Sequence, residues 1–162
     1  MPDAALSETS LLHQAIELAV QNADAGHLPF GALVVRDDEV LATGVNRELE
    51  AQDPTAHAEV EAIRNACRAL RTRALPGAIL VSSCEPCALC HVTAAVAGIS
   101  RVVYAAPKEL ALAMLGGGDD ESTTRLTDMQ QALRALAPGQ VEHVTTPGDG
   151  RPFERFAARA RP

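Results

Sequence analysis

Aromatic side chains are almost missing from this 162-residue chain, which has no Trp, one Tyr and three Phe. A core must therefore be built largely from Ala, Val, Leu and Ile, within an apolar fraction of 47%, and any aromatic ring near a site stands out. Positive charge is also scarce. The formal net charge of −7 excludes a surface built throughout to hold nucleic acid, because phosphate binding draws on clustered Lys and Arg. A small-molecule partner is expected and nucleic acid is not. No apolar run approaches the ~20 residues that cross a bilayer, and Met1 to Glu8 lacks the basic and apolar regions of a secretory signal. No membrane partner is expected, and the chain is read as cytoplasmic. Internal repeats and dividing linkers are absent too, so residues 1–162 are read as one domain.

What is present has regular order. Leu11, Leu12, Ala15, Ile16, Ala19 and Val20 predict a helix over 8–24, with Ser7 or Thr9 as cap and Gly26 as stop. Strands at 32–35 and 40–45 flank a hairpin turn at Arg36 to Glu39. Phe30 before them is a core plug or a contact for a flat ligand, and Asn46 after them an ordinary turn residue or a hydrogen-bonding group aimed into a cleft. A polar loop, 47–52, leads to a helix from His57 to about Leu70 with Val60, Ile63, Ala66, Cys67 and Leu70 as its buried stripe. A strand at 78–83, a helix at 87–97 and a strand at 101–104 follow. Beyond them the pattern predicts helices at 109–115 and 127–136 and an edge strand at 141–144. The last twelve residues carry four arginines, read as a solvated helix end, with a nucleic-acid contact as the other reading. The order implies an α/β protein with a central mixed sheet of about five strands, helices on both faces and parallel crossovers from residue 78 onwards.

Three of the four cysteines fall within Cys84-Glu85-Pro86-Cys87-Ala88-Leu89-Cys90. In a reducing compartment such thiols are better read as metal ligands than as a disulfide framework. Cys87 and Cys90, three apart in the first turn of a helix, can aim both sulfurs at one point. His57, in the first turn of another helix, supplies a third ligand. Three protein ligands and one position left for water make a catalytic Zn²⁺ site, and two thiolates suit zinc better than a hard cation. Water bound there ionises near neutral pH, and Glu59, beside His57, is the carboxylate expected to move its proton. The competing arrangement adds Cys84 to form a closed Cys₃His structural site. Against it, Cys84 ends the strand and Glu85-Pro86 turns its sulfur away from the helix.

His57-Ala58-Glu59 with Pro86-Cys87-Ala88-Leu89-Cys90 resembles the H-x-E…P-C-x-x-C signature of the cytidine deaminase-like zinc hydrolases. Longer stretches, Pro29-Phe30-Gly31-Ala32, Asp53 to Val60, Ser83 to Cys87 and Tyr104-Ala105-Ala106, are most similar to bacterial guanine deaminases. The resemblance implies a three-layer α-β-α fold and hydrolytic deamination of a free nucleobase or nucleoside, guanine-like first. Cytosine or an aminated triazine or pterin, then adenosine in transfer RNA, then a non-catalytic domain with a structural zinc are the alternatives. It also implies that Asn46, the Ala58 N–H, the Glu85 carbonyl, Phe30 and an acidic residue, Asp120 rather than Asp119, contact the base. It implies a homodimer, with residues 146–162 a tail or lid over the site. Two stretches depart from the family pattern: Cys90 to Ala94 replaces a small-residue run, and the C-terminus lacks a terminal aromatic.

Overall fold

The computed structural model describes residues 7–117, 120–136 and 140–160. Helix α1, Glu8–Asp24, begins at Ser7, whose extended backbone lets Oγ accept from the Ser10 N–H at 3.1 Å. Strands β1 (Gly31–Arg36) and β2 (Glu39–Val45) form the expected hairpin. Its turn holds Asp37 and Asp38 at φ 53° and 60°, the two left-handed positions of a type I′ turn, which Asp tolerates. A short helix, α2 (Glu48–Ala51), occupies the stretch read as polar loop, and none of its residues is buried. Then come α3 (Ala58–Leu70), β3 (Ile79–Cys84), α4 (Ala88–Val96), β4 (Arg101–Ala106), α5 (Lys108–Leu115), α6 (Glu121–Leu136), β5 (Val141–His143) and α7 (Arg151–Ala160).

The five strands form one mixed sheet in the order β2-β1-β3-β4-β5. β1 runs antiparallel to both neighbours, and β3, β4 and β5 are parallel. Strand alternation decides which layer each residue joins. Ala32, Val34, Leu80 and Val102 meet Ala62, Ile63 and Ala66 of α3 and Ala94 of α4, whereas Leu33, Val35, Val81 and Val103 meet Leu12, Ala15 and Ile16 of α1. The result is the three-layer α-β-α, cytidine deaminase-like architecture. Small residues let the layers approach: a Cβ at Gly44 would run into Ala62 N and Ala58 O, so β2 lies directly against the first turns of α3.

Several expectations change. The buried stripe of α3 stops at Ala66; Leu70 is 41% exposed and Cys67 is half-buried. Helix α6 starts six residues earlier than its apolar pattern implied. The solvated helix expected at the C-terminus is present, with Arg151, Arg155 and Arg159 exposed on α7, and α7 packs on α1. Arg151 pairs with Glu17, and Arg155 pairs with Asp24 at 2.9 Å. Among the described residues, no helix is long and apolar enough to cross a membrane.

Candidate active site

Two helix starts and the end of β3 converge on one cleft. His57 is the N-cap of α3 and Cys87 the N-cap of α4, both extended. Each side chain therefore sits at the positive end of a helix, where a thiolate or other anion is favoured. His57 Nδ1 lies 3.5 Å from Cys87 Sγ and 3.6 Å from Cys90 Sγ, and the two sulfurs are 3.8 Å apart. Zinc bonds of about 2.3 Å to sulfur and about 2.05 Å to nitrogen at tetrahedral angles give ligand edges of about 3.8 Å and about 3.5 Å. The triangle thus has the dimensions of three corners of a zinc tetrahedron. Among the described residues, His57, Cys87 and Cys90 are the one group able to hold a metal ion, and Cys84 is not part of it.

The protonation balance of the triangle suits metal binding. Hydrogen bonding from Cys90, then from His57, outweighs burial and holds the Cys87 thiol down at about 4. The Cys90 thiol is held well up by its neighbour Cys87 and by burial. Burial pushes His57 down, but Cys87, Glu59 and Glu48 outweigh it and hold the imidazole at about 9. A cation at the centre finds one thiolate ready-made and displaces protons from the other two groups. Cys84 is buried and its thiol is pushed up, first by burial and then by the Glu59 charge, as expected of an inert cysteine.

Glu59 is buried in the first turn of α3, and burial raises its carboxyl pKa. Ser82 Oγ donates to its Oε1 at 2.9 Å, while Oε2 lies 3.4 Å from Cys90 Sγ, facing the triangle. This fixes a buried carboxyl group beside the metal position. Ala58 lines the cleft, and as the first residue of α3 its N–H has no intrahelical carbonyl to meet. Asn46 is 2% exposed: its N–H donates to Phe30 O at 3.1 Å and its carbonyl accepts from Asn22 Nδ2 at 2.9 Å.

Phe30, Ala111, Leu112 and Leu115 give the cleft an apolar wall, and the cleft, open at its mouth, has a volume of about 210 Å³. Phe30 is neither solely core nor solely cleft. Its ring meets the buried Phe153 of α7 edge-on at 5.9 Å. Glu85 lines the cleft as well, but its carboxylate turns to α6 and α5. It accepts from Gln130 Nε2 at 3.2 Å, Arg134 Nη1 at 2.6 Å and the Lys108 N–H at 3.1 Å, and Gln130 Nε2 also donates to Pro86 O at 2.7 Å.

The structure brings together every expected site residue except Asp120. That aspartate is exposed and caps α6, accepting from the Thr123 N–H at 2.8 Å, because its side chain satisfies the free N–H groups of a helix start. Asp119 lies outside the described residues. Sequence reasoning missed Ser82, Gln130, Arg134 and Glu48, which lines the cleft beside Asn46. Only Ser82 carried a signal: it falls in the register of β3 that faces α3, where an apolar residue would otherwise pack.

Comparison with known proteins agrees with this geometry. Residues 6–106 match the cytidine and deoxycytidylate deaminase zinc-binding region. The guanine deaminase of Bacillus subtilis strain 168 is 38% identical over 144 residues, covering 86% of this chain and 91% of that protein. A solved structure from a study of transfer RNA A34 deaminases acting at the wobble position is 31% identical, with a TM-score of 0.67, covering 91% of this chain and 99% of that one. The crystal structure of guanine deaminase from Bacillus subtilis is 30% identical with a TM-score of 0.61, covering 96% of each chain. The metal triangle, the buried acid beside it and these matches together make the chain a member of the cytidine and deoxycytidylate deaminase zinc-binding family, hydrolases of C–N bonds.

Proposed function

We propose that this chain is a zinc-dependent hydrolytic deaminase of a free, guanine-like nucleobase, releasing ammonia. The observation that carries this reading is the cleft itself: about 210 Å³, apolar on one wall, with its polar atoms gathered beside the metal triangle. Drug-sized ligand sites run to roughly 300–1,000 Å³, so a planar base fits the space better than a base with its sugar. Zinc held by His57, Cys87 and Cys90 would supply the Lewis acidity that makes water a nucleophile near neutral pH. Glu59 takes one proton of the attacking water and gives it to a ring nitrogen, then takes the remaining hydroxyl proton of the adduct and delivers it to the departing amino group as the C–N bond breaks and the carbonyl forms. The Ala58 N–H and the Glu85 carbonyl meet polar edges of the base, Asn46 another, and Phe30 its face. A donor or acceptor left unpaired by the wrong base would cost about 1–3 kcal/mol.

Residues 1–162 act as one unit in this reading, with α7 backing the cleft through Phe153. The expected homodimer belongs to it as well, supported by exposed Val92, Val96 and Met129 on α4 and α6. Deamination of adenosine in transfer RNA is the second reading, favoured by the 31% identical relative. The net charge of −7 and the pairing of Arg151 and Arg155 with acids of α1 weigh against it. An ammonia-release assay with guanine, guanosine, cytosine, cytidine, adenine and a transfer RNA anticodon stem-loop separates the readings. Guanine is expected to be the fastest substrate, and Glu59→Gln to lower kcat by about 10²–10⁴-fold while zinc is retained. Release of ammonia from the stem-loop alone would replace the free-base reading, and undiminished turnover by Glu59→Gln would remove the assignment of that residue.

A further inference from the structure

We infer that Glu48 is a positioning residue that ties the metal-ligand histidine to the asparagine expected to contact the base. Its Oε1 lies within ion-pair distance of His57 Nε2, 3.2 Å away, and accepts from Asn46 Nδ2 at 2.6 Å, and its own N–H donates to Asn46 Oδ1 at 3.1 Å. Both rings of contacts fix an orientation. Because His57 turns Nδ1 toward the two sulfurs, a metal-bound ring keeps its proton on Nε2, the nitrogen 3.2 Å from the carboxylate. A carboxylate on the far nitrogen of a ligand histidine holds the tautomer and makes the metal-facing nitrogen more basic. The Asn46 amide is fixed just as firmly: exchanging its oxygen and nitrogen would set NH₂ against the Glu48 N–H and oxygen against a carboxylate.

Ordinary packing does not account for this placement. Helix α2 buries none of its residues, Leu49 beside Glu48 is 61% exposed, and the chain on either side is held through Asn46 and through Arg47 N to Ala56 O at 2.9 Å. Glu48 nevertheless turns into the cleft, with its side chain 27% exposed. One carboxylate thus spans the two functional ends of the site, so a shift at the metal ligand is felt by the residue that orients the base.

This inference rests on the metal reading of His57, Cys87 and Cys90. Its test is Zn²⁺ affinity by chelator competition on the full chain, for the parent protein and for Glu48→Ala, Glu48→Gln and Leu49→Ala, with kcat and KM for guanine measured alongside. Glu48→Ala is expected to weaken Zn²⁺ binding by roughly 10–100-fold and to raise KM through the loosened Asn46. Glu48→Gln keeps an oxygen that can sit beside His57 Nε2 and is expected to recover most of the affinity. Leu49→Ala, one residue along on the same turn, is expected to change neither quantity. Affinities within about twofold of the parent protein for both Glu48 variants would overturn the assignment. So would an equal loss in Leu49→Ala, which would place the effect in the fold of α2. A parent protein that binds no zinc would overturn the metal reading itself, a distinct outcome that removes this inference with it.

Discussion

The residues before Pro107 and those after it face each other across one cleft, and they are held in different ways. On the first side His57, Glu59, Cys87 and Cys90 are each fixed by short sequence spacing at the start of a helix. The Cys87–Cys90 pairing follows from one helical turn, and His57, 30 and 33 residues before them, is brought to the pair by the packing of α3 and α4 on one face of the sheet. On the second side α5 supplies an apolar wall, α6 reaches back to Glu85 and Pro86, and α7 sets Phe153 behind Phe30. The family match ends at residue 106, where the first side ends. The metal triangle and its acid are thus held within residues 57–90, while the far wall of the cleft is set by the packing of α5, α6 and α7, which can change without disturbing the triangle.

Substitutions on the second side can break that division or sharpen it. The largest expected effect is that of Phe153→Ala, which removes a ring 1% exposed and empties the space behind Phe30. A loss of roughly 3–5 kcal/mol in denaturant unfolding is expected, together with a raised KM and one zinc still bound per chain. Loss of zinc at 25 °C in the folded variant would show that the two sides are not separable. Gln130→Ala comes next. Gln130 is 4% exposed, and its removal leaves Pro86 O without its donor and takes one partner from Glu85. About 1–3 kcal/mol of stability should go with it, and a drop in zinc affinity larger than that in Phe153→Ala would locate the point where the second side touches the first. Arg155→Ala is the smallest: an exposed pair with Asp24 contributes little, so neither unfolding nor turnover should change measurably.

The same division separates what the sequence disclosed from what it did not. Helix α1 and the Asp37-Asp38 hairpin could be read because apolar period and turn chemistry are local signals, and the parallel crossovers after residue 78 because strands and helices alternate there. The metal triangle could be read because its three ligands sit at helix starts recognisable from spacing. Helix α6 was expected to begin at Thr127 because Glu121 to Arg125 carry no apolar stripe; its start is instead fixed by the Asp120 cap. That cap is also why Asp120, expected at the base from the family resemblance, lies away from the cleft. Glu48 looked like one more acid in an acidic chain, and Gln130 like one more polar residue on a polar helix. Their contacts exist only once residues 2 to 45 positions away are brought together, and nothing in hydrophobic period records that.

The open, three-ligand metal site is the claim on which the rest depends. X-ray absorption at the zinc edge of the purified, zinc-loaded protein counts its sulfur ligands directly. Two sulfurs at about 2.3 Å with the remaining ligands nitrogen or oxygen are required of a site made by His57, Cys87 and Cys90 with one position for water. Three sulfurs would bring Cys84 into the shell, close the site and contradict the catalytic reading.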